Sequence, residues 1–191
     1  QPELLRLLSL SLSGIKLIAT PADGALPAVD YDMQIPLMSL PRLFQTELDS
    51  VPPAVPYIHV DPEQIARWQS FFKNDAFKVG LVWAGNPKHW QLTNLAPKLD
   101  DFASTAAAIA NLDLVITVDT AVAHLAGAMG KPVWTLIYSP PDWRWLLNRE
   151  DSPWYPTMKL FRQTATDHDW LPVVERVVEK LKRVVSGSDK P

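Results

Sequence analysis

The residues best suited to chemistry in this sequence lie between Asp113 and Leu136. There the apolar run DLVITV is followed at once by D-T-A-V-A-H. Aspartate and threonine are good helix caps, and a helix opening at this point would turn the N–H groups of Ala121, Val122 and Ala123 towards an anion. The helix dipole adds partial positive charge at the same place. Alanine at positions 121 and 123 keeps side chains out of the way of a close ligand. His124 falls in the first turn, where its imidazole can reach a phosphate or a sugar hydroxyl. The same residues also suit a plain capped helix with a packed histidine, so local chemistry alone leaves both readings open.

A second loop has matching properties. The run KVGLVWA, Lys78 to Ala84, reads as a strand buried on both faces, and it ends in Gly85-Asn86-Pro87-Lys88-His89. Gly85 permits a tight turn, while Lys88 and His89 bring donors and positive charge. In open parallel sheets ligands sit outside the carboxyl ends of the strands, so the two loops would converge on one pocket. A third stretch, PPDWRWLLNREDSPWYP, gathers Trp143, Trp145, Trp154 and Tyr155 around Arg144. These aromatics can stack on a base or sugar, or bury their area to fix a loop, and Arg144 can pair with a phosphate or stay structural.

The elements that must position these groups follow from pattern. Glu3–Leu12 reads as a helix stopped near Gly14, and Ile15–Ala19 and Asp30–Pro36 read as short strands among proline-rich loops. Asp61-Pro62 opens a helix that runs to about Lys73, with aspartate as cap and proline in the first turn. Ala103–Asn111 is an alanine-rich helix, and Asp113–Val118 is a buried strand. Ala121–Met129 is a helix closed by Gly130, Lys131 and Pro132, the usual order of stop signals. Val133–Tyr138 is the next strand, and Leu171–Val185 is a C-terminal helix with apolar residues at helical spacing. Strands alternating with helices across short turns predict an α/β fold with a parallel sheet and right-handed crossovers.

Composition narrows the function classes. The chain has 191 residues, 47% hydrophobic and 20% charged, with a formal net charge of −3. It has no basic tail, which argues against nucleic-acid binding. With no cysteine, zinc-thiolate sites, disulfides and cysteine nucleophiles are excluded, and a reducing, cytoplasmic setting is expected. No apolar run approaches the roughly 20 residues that span a bilayer. The apolar opening QPELLRLLSLSLSG lacks a basic leader and reads as an amphipathic helix rather than a signal peptide. The 18 prolines exclude an all-helical bundle.

Three strings then resemble one family in matching order: VGLVWAGNPKH, FASTAAAIANLDLVITVDTAVAHLAGAMGKPVW and PPDWRWLLNREDSPWYPTMKLFRQ. The family is the bacterial glycosyltransferase-like domain found behind tetratricopeptide repeats. It is related to the ADP-heptose:lipopolysaccharide heptosyltransferases and more remotely to O-linked N-acetylglucosamine transferases. PAVDYDMQIPLMSLPRLF also resembles this family's first domain. The resemblance implies a GT-B-like fold of two Rossmann-like domains with parallel sheets, the N-terminal one incomplete in this chain. Residues 1–60 would be the partial acceptor-side domain, 61–77 a linker helix, and 78–191 the C-terminal domain that binds a nucleotide sugar.

Carried over by position, Gly85, Asn86, Lys88, His89, Asp119, Thr120, Ala121, His124 and Arg144 would surround the donor. The implied activity is transfer of a sugar from a nucleotide-diphosphate sugar to an unknown acceptor, glycan or protein. A catalytically degenerate nucleotide-sugar or protein-binding module is the alternative. No cofactor and no metal is implied: helix N–H groups and a basic side chain would steady the leaving diphosphate. The resemblance also implies tetratricopeptide repeats upstream in the full-length protein. It assigns the general base to no residue here, because the glycine-rich loop that would bear it is expected before Gln1. The span from His89 to Phe102 is likewise too short for a further strand and helix, so omitted segments are expected near His89–Trp90.

Overall fold

The computed structural model describes residues 1–21, 23–25, 27–52, 54–72, 74–83, 92–164 and 169–191. Helix α1 (Leu5–Ser11) follows a 3-10 turn, and the short α2 (Leu40–Leu43) lies in a long irregular stretch. Helix α3 (Pro62–Gln69) then precedes strand β1 (Val79–Val82), helix α4 (Phe102–Ala110), strand β2 (Leu114–Val118) and helix α5 (Ala121–Ala128). Strand β3 (Val133–Ile137), strand β4 (Met158–Arg162) and helix α6 (Leu171–Val185) complete the order. The four strands form one sheet in the order β1-β2-β3-β4, every pair parallel. The α/β fold with a parallel Rossmann-like sheet is therefore as the sequence predicts.

Local chemistry accounts for most of the boundaries. The Asp61 side chain accepts from the Glu63 N–H at the start of α3, and the Asp101 carboxylate accepts from the Ser104 N–H at the start of α4. Helix α5 gives way at Gly130, whose φ of +69° is a conformation glycine adopts without strain. Lys131 follows, and its ammonium donates to the carbonyls of Ala110 (2.6 Å) and Leu112 (2.9 Å). One side chain thus closes the end of α4 and ties it to the turn that launches β3.

Alternation along the strands divides the core in two. On one face Val115, Val133, Ile137 and Leu160 pack against α4, α5 and Leu7 of α1. On the other, Leu114, Ile116, Trp134 and Phe161 pack against Val173, Val177 and Val184 of α6. Both crossover helices, α4 and α5, lie on the same face, as crossovers of one hand advancing in one direction must. Helix α3 rests on α4, with Trp68 against Ala107 and Ala108.

Three expectations are corrected. Among the described residues no strand precedes Val79: Ile15–Ala19 and Asp30–Pro36 are irregular, and Ile15, Ile18, Met33 and Ile35 are exposed. A five-residue apolar run needs a neighbouring strand to satisfy its backbone, and none lies beside these. Strand β1 is not buried on both faces, since it pairs with β2 at the sheet's edge and Leu81 is 43% exposed. Strand β4 is not among the elements the sequence predicts, yet MKLFR pairs along its full length with β3.

Candidate functional site

Strand β2 delivers Asp119 and Thr120 to the carboxyl edge of the sheet, and α5 begins one residue later. The expected side-chain cap does not form: the Thr120 side chain makes no hydrogen bond to the first turn of α5. Instead the Thr120 hydroxyl turns inward to share a 3.0 Å hydrogen bond with Thr117, whose own hydroxyl meets the Val118 carbonyl. Thr117 is buried, so its oxygen competes successfully for Thr120. The Ala123 N–H is used by the Thr120 carbonyl at 3.0 Å, which corrects the expectation that it is free. Ala121 and Val122 open the helix with no side-chain cap over them, and Ala121 is exposed.

His124 sits one turn into α5, on the face that looks along the sheet edge. Its Nε2 is 3.8 Å from Asp119 Oδ1, and its Nδ1 is 3.0 Å from Tyr155 Oη. The indole of Trp145 stacks on the imidazole, centroids 5.1 Å apart and planes 20° from parallel. Burial holds the His124 pKa below its ordinary value; Asp119 and Asp142 pull the other way, and Arg144 adds to the depression. At neutral pH the ring is therefore an uncharged donor and acceptor, not a cation.

Arg144 comes from the 3-10 turn Trp143–Trp145 between β3 and β4. Asp142 organises that turn: its Oδ1 accepts from the Arg144 backbone at 3.0 Å and from its guanidinium at 2.8 Å. The guanidinium also lies over the Trp143 ring, 4.6 Å from its centroid. Its charge is close enough to bear on His124, so Asp119, Thr120, Ala121, His124 and Arg144 come together at one edge. Gly85, Asn86, Lys88 and His89 lie outside the described residues. The strand that leads to them, β1, ends at Val82 beside Thr117 of β2.

The aromatic cluster divides by role. Trp145 is buried, Trp154 donates its Nε1–H to the Arg144 carbonyl at 2.8 Å, and Tyr155 is buried against His124. Trp143 alone of these four is largely open, 58% exposed. Sequence reasoning named Tyr155 only as a stacking or packing residue and missed its bond to His124. Tyr57 also escaped notice; its phenol lies against that of Tyr155. The signal that could have found the pair is the glycine at position 127, three residues after His124, which leaves space on α5 for a ring.

That edge also connects the chain to known proteins. Residues 82–144 match the model of glycosyltransferase family 9 (heptosyltransferase). The span runs from the end of β1 to Arg144 and includes every donor-side candidate named above. Protein FlbA of Caulobacter vibrioides is 37% identical over 89 residues, which is 47% of this chain and 14% of that protein. The chain thus spans only a small part of that relative's length. No solved structure matches the chain significantly. The heptosyltransferase-like relationship is carried by the segment that builds the site.

Two concavities lie elsewhere. One of about 160 Å³ is lined by Glu150, Lys159, Arg176 and Arg183 between β4 and α6, and one of about 120 Å³ lies between α1 and α3. Neither reaches the strand ends. Among the described residues no three His, Asp or Glu side chains gather as a metal would require, and no helix is long and apolar enough to cross a membrane.

Proposed function

We propose that the intact protein transfers a sugar from a nucleotide-diphosphate donor to an acceptor hydroxyl, and that this chain holds the donor diphosphate at the carboxyl edge of its sheet. The observation that carries the reading is the convergence of the uncapped α5 N-terminus, neutral His124 and Arg144 within the segment similar to glycosyltransferase family 9. A diphosphate needs hydrogen-bond donors and positive charge on one side. The Ala121 and Val122 N–H groups supply the first, Arg144 the second, and Lys88, six residues after the last residue of β1 in the sequence, would supply more.

In the transfer, the acceptor hydroxyl oxygen attacks the anomeric carbon and gives its proton to a general base, as the bond from that carbon to the donor phosphate oxygen breaks. The electron pair leaves with the diphosphate, and the groups that bound it now stabilise its extra charge. These groups do this without a metal ion. The acceptor and the general base belong to the other half of a two-domain GT-B arrangement, of which residues 1–60 would be a partial piece. Tetratricopeptide repeats upstream in a bacterial, cytoplasmic protein would present a protein or glycan acceptor.

Calorimetry and thermal unfolding with ADP, UDP and GDP test this. At a hundred times Kd a bound nucleotide adds about 2.7 kcal/mol, which raises Tm by about 5–10 °C for a chain of this size. Arg144→Ala and Lys88→Ala should each weaken that nucleotide about tenfold or more, the cost of losing a charge-assisted hydrogen bond. Absence of any nucleotide effect on the wild type rejects the donor site. Tight binding without slow release of free sugar by the full-length protein identifies the degenerate binding module instead.

A further inference from the structure

The His124 ring is fixed on more sides than ligand binding requires. Trp145 holds its plane, Asp119 faces Nε2, and the Tyr155 hydroxyl meets Nδ1 at 3.0 Å. The Tyr155 position is built into α5. A Cβ at Gly127 would stand 2.5 Å from Tyr155 Cγ, so only a glycine three residues after His124 lets the phenol lie across the helix. Tyr57 is fixed to the same helix, its N–H donating to the Ala128 carbonyl of α5 at 3.0 Å.

The direction of the His124–Tyr155 hydrogen bond is set by the charge around the ring. A neutral imidazole has one N–H and one bare nitrogen. The Asp119 carboxylate can only accept, and so can a phosphate oxygen arriving at the α5 N-terminus. A proton on Nε2 faces that carboxylate across 3.8 Å and leaves Nδ1 to accept from the Tyr155 hydroxyl. Burial keeps that phenol protonated, with its pKa well above the ordinary range.

We propose that Tyr155 is a positioning residue for His124: its hydroxyl donates to Nδ1, fixes the Nε2–H tautomer and aims one uncharged N–H at an oxygen of the bound sugar donor. The donor half of this statement rests on the function proposed above, whereas the tautomer half does not. Gly127 makes the seat and His124 makes the contact. An uncharged donor at this point discriminates by direction, since it rewards an oxygen placed along the N–H and attracts distant anions less than an imidazolium does.

Long-range proton–nitrogen correlation spectra of the 191-residue chain with labelled histidine, at pH 7.5, test the first half directly. The expected spectrum shows a protonated Nε2 and a bare, hydrogen-bonded Nδ1 at His124. Tyr155→Phe keeps the ring in the Gly127 seat, so Tm should move little, while the Nδ1 resonance shifts and the Nδ1–H tautomer appears. The affinity for whichever of ADP, UDP or GDP binds the wild type should fall about three- to tenfold, the worth of one neutral hydrogen bond. A wild-type ring protonated on Nδ1, or a Tyr155→Phe spectrum unchanged at His124, overturns the proposal, and the wild-type spectrum decides even if the variant fails to fold. The expected tautomer in a protein that binds no nucleotide would uphold the Tyr155 role and reject the donor site, so the two failures are distinguishable.

Discussion

Protonating His124 should cost stability, because the folded protein offers its charged form little solvent. Its pKa is depressed by burial first and by Arg144 as well, against the pull of Asp119 and Asp142. The unfolded chain, with an ordinary histidine pKa of about 6.5, binds the proton more readily than the folded one. The stabilisation from neutral His124 is thus complete above about pH 6.5 and is lost as pH falls through the folded value. Denaturant unfolding at pH 7.5 and 5.5 should show this loss, and His124→Gln should flatten it. Gly127→Ala makes a harsher change at the same spot. Alanine gains up to about 1 kcal/mol in helix propensity, but the added Cβ overlaps the Tyr155 ring and overpacking costs about 1–3 kcal/mol. The expected net is a lower Tm. Thr135 offers the opposite sign: its hydroxyl is fully buried in β3 without a partner. Thr135→Val replaces it with a methyl group and should raise stability by about 1 kcal/mol, read from the urea midpoint.

At the scale of elements, α4 is held at both ends by side chains from elsewhere. Asp101 caps its start and also pairs with Arg6 of α1 at 2.7 Å. Burial alone would raise the Asp101 pKa, but the Arg6 and Ser104 hydrogen bonds outweigh it and hold the carboxyl below its ordinary value. Its contribution is present above the unfolded value near pH 4 and is lost as pH falls through the folded one. Asp101→Ala should remove about 1 kcal/mol through the lost cap, and acid unfolding of the variant should begin from a lower plateau with a shallower slope. Lys131 does the same work at the other end. Lys131→Met removes the bonds to the Ala110 and Leu112 carbonyls and should cost about 1–3 kcal/mol, measured by denaturant unfolding.

Across the whole molecule, the first helix belongs to the same core as the sheet. Leu7 of α1 is 1% exposed and packs with Ala103, Ala106 and Val115. Leu7→Ala should therefore cost about 2–5 kcal/mol, as an interior leucine does. A single cooperative transition shifted to lower denaturant is the expected trace. A separate early transition, with the main one unmoved, would show that α1 is dispensable to the sheet.

The elements around the site were legible in the sequence because each depends on neighbours in the chain. The apolar run before Asp119, the glycine at 130 and the Asp61 cap act over a few residues, and β2, α5, β3 and the start of α3 lie where these signals put them. The donor-side residues came from motif order, since Asp119 to His124 are contiguous. What the sequence could not specify depends on residues distant along the chain. Ile15–Ala19 has the composition of a strand but no neighbour to pair with, while charged β4 becomes a strand because β3 lies beside it. Thr120 abandons its cap because buried Thr117 takes its hydroxyl. Tyr155 reaches His124 across 31 residues, over a space that glycine leaves on α5. The sequence by itself determined where helix α5 would begin; the tertiary structure decided which side chains surround the histidine on it, because hydrogen-bond partners and ring contacts are set by packing between elements.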